Sequence, residues 1–233
     1  MPAYEVEEQT GLAYIVQPVW RDGGMAKTAA NAPVTVVPGG DSYLNDARTK
    51  ALCAQALKAR PDADLIELDA TSADQYAFDE AVSPSLLSDV AVVKLVNLQN
   101  ADDKLAEALV AYTKQAAKDP NGSSVVICQH EGGVKGHKII DQLVKAGARK
   151  EDVPDLKKPD AQLNFVLGEF EKRGRRVEPM AAQQLVSVLG GKTGELAAMC
   201  EQLCFDFDDN PMGLDRVNQY LTCLLYTSDA ADE

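Results

Sequence analysis

The stretch VTVVPGGDSYLNDA at residues 34–47 joins a β-branched run, a glycine pair and the start of a helical pattern. That is the layout of a phosphate-binding loop. In such a loop backbone N–H groups cradle the phosphates, a lysine reaches the terminal ones and a hydroxyl reaches the metal. No lysine is here. Counted from Gly39, the Gly-Lys-Ser/Thr positions fall on Leu44, Asn45 and Asp46; counted from Gly40, they fall on Asn45, Asp46 and Ala47. Either register lacks the cation, and the second sets a carboxylate against the phosphate charge. Hydrolysis also needs acids closing a strand to hold Mg²⁺. The apolar run at 90–96 leads instead into NLQNADD, where Asp102 and Asp103 come too late to serve. Gly39, Gly40 and Asp41 therefore read as a degenerate loop that is not expected to bind nucleotide. A simpler account of PGGDSYL is a strand-to-helix turn, with glycines relieving backbone crowding and Asp41 or Ser42 capping the helix.

Composition narrows the function classes. The 233 residues suffice for one large domain or two small ones. A formal net charge of −13 argues against a broad nucleic-acid-binding face, which needs clustered Lys and Arg. The basic island EKRGRR at 171–176 reads as a solvated helix end. Five cysteines include no C-x-x-C pair, and Cys200 with Cys204 has no second ligand pair, so buried reduced thiols are expected and no metal site. No apolar run is long enough to span a membrane, and the acidic N-terminus lacks a signal-peptide pattern, so the expected location is the cytoplasm.

Strand-like runs at 34–37, 65–68, 90–96 and 124–129 alternate with helical stretches at about 42–58, 73–82, 102–118 and 135–146. The strands lack clean polar alternation, as expected of strands buried on both faces of a parallel sheet. In the first helix Leu44, Ala47, Ala51 and Ala54 form the expected apolar stripe. From about residue 160 only helices are expected, at 160–173, 179–190, 193–206 and 214–221. Asp160 and Thr193 are the expected caps, and Gly174 is the expected left-handed stop. The expected fold is thus α/β, a P-loop/AAA+-like parallel sheet domain (31–152) followed by a small helical lid domain (153–222). Residues 1–30 read as an N-terminal extension without stable structure, with Met25 a second candidate start beside Met1. The closing CLLYTSDAADE, 223–233, reads as an adapter-derived, non-native tail rather than a frayed native end, so Cys223 and Tyr226 carry no argument.

Five segments in register resemble the delta subunit of the bacterial DNA polymerase III clamp loader. They are VTVVPGGDSYLNDARTKAL (34–52), SPSLLSDVAVVKLVNL (83–98), VVICQHEGGVKGHKIIDQLVKAGA (125–148), LKKPDAQLNFVLGEF (156–170) and LVSVLGGKTGELAAMCEQL (185–203). The GGVKG turn is similar to the actinobacterial form of that family. The resemblance covers roughly residues 30–222 and stops where the family's C-terminal collar domain would begin. It implies a non-ATPase component of the DNA-directed DNA polymerase III holoenzyme, without cofactor or catalytic residue. Such a subunit grips the sliding clamp and helps open it for loading onto primed DNA. Its implied partners are the clamp, the tau/gamma ATPases and delta prime, with DNA contacted indirectly and no membrane.

By the same resemblance, adjacent apolar residues enter a pocket on the clamp, and the matching positions are Leu86 and Leu87. Spacing alone favours ordinary core for this pair; the resemblance reverses that preference. Ser83 is the expected cap and Pro84 the first position of a short helical turn, with Pro84 and Ser88 as supporting contacts. Leu87 departs from the aromatic common at that position in the family. Lys135 and Lys138, around Gly136, could touch DNA phosphate or simply open a solvated helix. His130 and His137 have no acid or thiol company, and Arg149 lacks the motif of an arginine finger. The rival reading is an atypical P-loop nucleotide-binding enzyme.

Overall fold

The computed structural model describes residues 32–85 and 88–229, the last seven in backbone alone. The expected N-terminal extension, both candidate starts, Leu86, Leu87 and the side chains of the expected tail lie outside the described residues. What is described falls into two compact units that divide between Lys158 and Pro159.

The first unit runs β1 (Val34–Pro38), α1 (Ser42–Ala59), β2 (Asp64–Asp69), α2 (Gln75–Val82) and β3 (Ala91–Val96). A 3-10 turn (Leu98–Asn100) leads to α3 (Asp103–Ala116), β4 (Val125–His130), α4 (His137–Ala146) and β5 (Arg149–Lys150). The sheet is wholly parallel, in the order β2-β3-β4-β1-β5. Winding reverses between β1 and β4: the chain leaves β1 for the β2 edge and leaves β4 for the β5 edge. In open α/β sheets that reversal is where a ligand crevice forms, beyond the carboxyl ends of the strands. Pro38 pairs in register with His130, so both strands end abreast at the crevice.

On one face Val34, Val36, Val93, Leu95, Val126 and Cys128 pack against Phe78, Leu105, Leu109, Ile140 and Leu143. Phe78 is fully buried, with its ring edge-on to Tyr112 at 5.6 Å between centroids. Helix α1 packs against β3 and β4.

Three expectations for this unit need correction. Strand β2 is an edge strand paired only with β3, and its Leu65 is 51% exposed rather than buried on both faces. An apolar run does not tell a central strand from an edge one, and the acids Asp64, Glu67 and Asp69 within β2 suit an edge that must not recruit another chain. The buried face of α1 is Leu44, Asn45, Thr49, Leu52 and Cys53, while Ala47, Ala51 and Ala54 are exposed. Two buried polar residues displace the alanine stripe, and one of them, Asn45, bonds the carbonyls of Gly39 and His130 where β1 and β4 end. Strand β5, only two residues long and polar, leaves no hydrophobic signature; backbone pairing with Thr35 and Val36 defines it.

The second unit is helical: α5 (Pro159–Lys172), α6 (Pro179–Leu189), α7 (Thr193–Asp206) and α8 (Leu214–Asp229). Helix α5 packs on α6 and α7, and α6 on α8. Asp160 lies inside the first turn of α5 rather than capping it, where its charge still suits the helix dipole. Lys192, not Thr193, occupies the N-cap of α7. Gly174 follows α5 at φ 69°, the left-handed stop expected of it. The basic island is not simply solvated. Arg173 bonds Glu169 and Glu201, and Arg175 bonds Asp208, so the arginines tie α5 to α7 and to the loop beyond it. Helix α8 continues past 221 to Asp229.

Truncating a fully buried aromatic leaves a cavity that such a core closes only in part. Phe78→Ala should cost about 3–5 kcal/mol, read as a lower denaturant midpoint with unchanged slope.

Candidate functional site

The crevice between β1 and β4 is closed by the chain's own backbone. Gly39 and Gly132, from the loops leaving the two strands, are in such close approach that a Cβ on Gly39 would stand 2.9 Å from Gly132 Cα. A Cβ on Gly40 would meet the Val153 carbonyl oxygen at 2.5 Å. Both glycines have positive φ, 60° and 87°, which other residues adopt at a cost. Two of the N–H groups that could cradle phosphate are engaged elsewhere. Gly39 N–H donates to the His130 carbonyl at 2.8 Å, and Asp41 N–H donates to the Pro154 carbonyl at 3.0 Å. Asp41 caps α1, its Oδ1 accepting from Leu44 N–H at 3.1 Å.

Asn45 occupies one of the two registers for the missing lysine. Its side chain is buried, and Nδ2 donates to the Gly39 carbonyl at 2.7 Å and to the His130 carbonyl at 3.0 Å. One neutral amide thus bridges the two loops across the crevice. At the end of β3 the next residue is Asn97, an amide at φ 57°, and Asp102 serves as the N-cap of α3, accepting from Leu105 N–H at 2.7 Å. Neither position offers a carboxylate at the strand end. These residues suit a triphosphate with its magnesium poorly: the Gly39–Gly132 approach narrows the cradle, Gly39 and Asp41 N–H are engaged, and the lysine and strand-end acid are missing.

The β4–α4 turn is held by His130, which is fully buried. Gly132 N–H donates to Nδ1 at 2.8 Å, and Nε2 pairs with the Lys135 carbonyl at 2.8 Å. The first bond makes Nδ1 the acceptor, so the proton sits on Nε2 and the ring is neutral. Burial pushes the His130 pKa down, helped by the nearby His137 and opposed by the Lys135 and Glu131 contacts. Val134, at the tip, is 92% exposed. Lys135 Nζ donates to Asn100 Oδ1, while Lys138 lines a shallow groove between α3 and α4 with Asp103, Glu107 and Lys114. Lys135 and Lys138 are both exposed, at the opening of α4.

The segment carrying Pro84 and Ser88 lies at another edge of the unit, between α2 and β3. Ser83 is the C-cap of α2, its Oγ donating to the Asp79 carbonyl at 2.6 Å, so it ends one helix rather than opening a new one. Pro84 and Ser85 are exposed and non-helical. Ser85 N–H donates to the Ser88 carbonyl at 2.8 Å, and Ser88 N–H donates to Ser85 Oγ at 3.0 Å. Ser88 Oγ donates to the Val90 carbonyl at 2.6 Å, so Ser88 acts within the loop. The structure brings Gly39, Gly40 and Asp41 together with Asn45 and His130. It leaves the 83–90 loop apart from them. Asn45 and His130 were missed as crevice residues, although a polar residue on the buried side of a helical pattern could have flagged Asn45.

Arg149 bonds Glu151, which also takes Arg48. Cys53, Cys128 and Cys200 are buried free thiols and Cys204 is half-buried; burial pushes Cys128 and Cys200 up to about 12. Among the described residues no group of His, Cys, Asp and Glu could hold a metal, and no helix is long and apolar enough to cross a membrane.

No known family model matches the chain, and no curated protein matches it. Among solved structures it is similar to the Bacillus subtilis DNA clamp loader delta protein YqeN, at 17% identity and a TM-score of 0.57, over 80% of this chain and 57% of that one. It is also similar to the Thermotoga maritima RuvB Holliday junction branch migration motor, at 9% identity and a TM-score of 0.49, over 82% of this chain and 61% of that one. A third is domain III of the Thermotoga maritima replication initiation protein DnaA, at 11% identity and a TM-score of 0.45, over 84% and 86%. The fold is AAA+-like, a parallel α/β sheet unit followed by helices. The chain spans 57% of the length of the delta protein.

The fold favours neutral His130 and so lowers its pKa below the usual 6.5. Its contribution to stability is therefore complete above about pH 6.5 and is lost as pH falls through the folded-state value. The melting temperature should fall between pH 7.5 and 5, and His130→Gln should flatten that fall. Equal slopes for parent and variant would show that the histidine does not carry it.

Proposed function

We propose that this chain works in DNA replication as a delta-type, non-ATPase subunit of a polymerase III clamp loader, of the actinobacterial form. It comprises the AAA+-like unit and a helical lid, with no cofactor of its own. The observation that carries the reading is the Asn45 bridge: the crevice where relatives of this fold would seat nucleotide is shut by an internal amide and a glycine–glycine contact. The likeness to a clamp loader delta protein and the five resembling segments support the same reading.

In this reading the crevice is scaffolding and the 83–90 loop is the working part. Leu86 and Leu87, flanked by Pro84 and Ser88, enter an apolar pocket of the sliding clamp. Burying one leucine there contributes roughly 1.5–3 kcal/mol, and two can anchor a small interface as hot spots do. The subunit favours the open clamp by contacting it better than the closed one. Tau/gamma and delta prime subunits supply ATP turnover and ring assembly. Lys135 and Lys138 lie where primed DNA phosphate can be touched within the assembled complex, which works in the cytoplasm.

Two measurements test the reading. Titration with Mg-ATP should give no saturable binding at micromolar concentration; micromolar binding would establish the nucleotide enzyme instead. The parent should bind its cognate sliding clamp, and Leu86→Ala/Leu87→Ala should weaken that binding by about 100-fold or more, following from two buried leucines. Equal binding by the double variant would remove the leucine pair from the interface.

A further inference from the structure

Helix α3 buries Leu105, Leu109, Thr113 and Ala116, the two leucines within the cluster that covers the sheet. Its outer face carries Asp103, Glu107, Val110, Ala111, Lys114 and, just past the helix end, Lys118. At helical spacing these six fall within one stripe about 100° wide. Val110 is half-buried and the other five are exposed. Read along the stripe, the order is two acids, an apolar pair and two bases.

That order is unfavourable within one chain. Asp103 and Glu107 repel one turn apart, and Lys114 and Lys118 repel in the same way. Among the described residues none of the four is in an ion pair. The helix dipole favours Asp103 in the first turn and Lys114 in the last. Its influence fades beyond those turns and leaves Glu107 without a reason.

The pattern is its own complement. Turned end for end about a twofold axis between Val110 and Ala111, the stripe sets Glu107 against Lys114 of a second copy and Asp103 against Lys118. Both pairs share that one centre, so a single antiparallel docking matches every charge at both ends. A contact of this kind uses the same patch on each partner and closes at two copies. Ala106, Val110 and Ala111 are small enough at the centre for helix axes about 8–10 Å apart. The groove between α3 and α4, with buried Leu98 and Ile139 in its lining, gives the second helix a place to lie. Lys138 of α4 lines the same groove and adds one cation to a face otherwise balanced in charge.

We propose that the outer face of α3 is a self-association surface, on which two copies of this chain pair with their α3 helices antiparallel. This goes beyond the proposed function, and none of the residues belongs to the 83–90 loop. A net charge of −13 opposes any pairing of copies, and one helix pair is a small interface. The dimer is therefore weak, with a dissociation constant on the order of 10⁻⁵ M.

The test is sedimentation equilibrium of the full chain at low salt, over concentrations spanning that value. The parent should pass from monomer to dimer. Glu107→Lys and Lys114→Glu each set like charges together at both ends, and each should weaken pairing by about tenfold or more. Mixed together, the two variants regain opposite charges at both ends and should pair as tightly as the parent. Glu171→Lys, at an exposed position on α5, changes net charge as Glu107→Lys does and should not weaken pairing. A parent that stays monomeric throughout overturns the proposal. So does parent-like pairing by Glu107→Lys or Lys114→Glu, or a mixture that pairs no better than either variant alone. A loss in Glu171→Lys equal to that in Glu107→Lys also overturns it, because the face of α3 would then have no special part.

Discussion

Asn45 spends both hydrogens of a buried amide on the two loops that bound the crevice, one on the Gly39 carbonyl and one on the His130 carbonyl. The architecture of the β1–β4 end follows from that bridge. It draws the loops close enough that only glycine fits at 39 and 132, and the His130 carbonyl takes the Gly39 N–H as well. His130 in turn spends its two ring nitrogens on its own turn. A lysine ammonium at position 45 would place an unpaired charge in a buried site, at a cost the fold could recover only with an anion beside it. The neutral amide needs no anion. Its own Oδ1 has no partner among the described residues, nor does Thr49 Oγ1 one turn further along α1. The helix therefore tolerates some unmet polarity in exchange for the bridge.

Much of the fold was legible from the sequence because its signals are local. The runs VTVV, AVVKLV and VVICQ fall in the three central strands, and each of the eight α-helices among the described residues overlaps a helical stretch read from spacing, α8 running on beyond the expected end at 221. What escaped was set by non-local geometry. Strand β5 exists because Arg149 and Lys150 find β1 beside them, not because their side chains favour a strand. Leu65 looks like core until the sheet order puts β2 at the edge. The alanine stripe on α1 failed because small side chains serve either face, while Asn45 and Thr49 could be assigned to the interior only by knowing what lies opposite.

The candidate site divides the same way. That Gly39, Gly40 and Asp41 form a turn without a phosphate-binding lysine follows from residue types alone. That the turn is filled by Gly132 and Val153 could not, because those residues lie about a hundred positions away in the chain. The arginines of EKRGRR show the converse. Their charge reads as a surface feature, yet Arg173 and Arg175 are part of the packing of the helical unit.

The filled crevice has a thermodynamic corollary. Proteins that bind nucleotide are stabilised by it in proportion to its free concentration, and their shape follows the balance of triphosphate and diphosphate in the cell. A cradle closed by its own amide has no loaded and unloaded forms to alternate between. Its geometry is set by contacts internal to the chain, and in the proposed assembly any timing would be imposed from outside this unit.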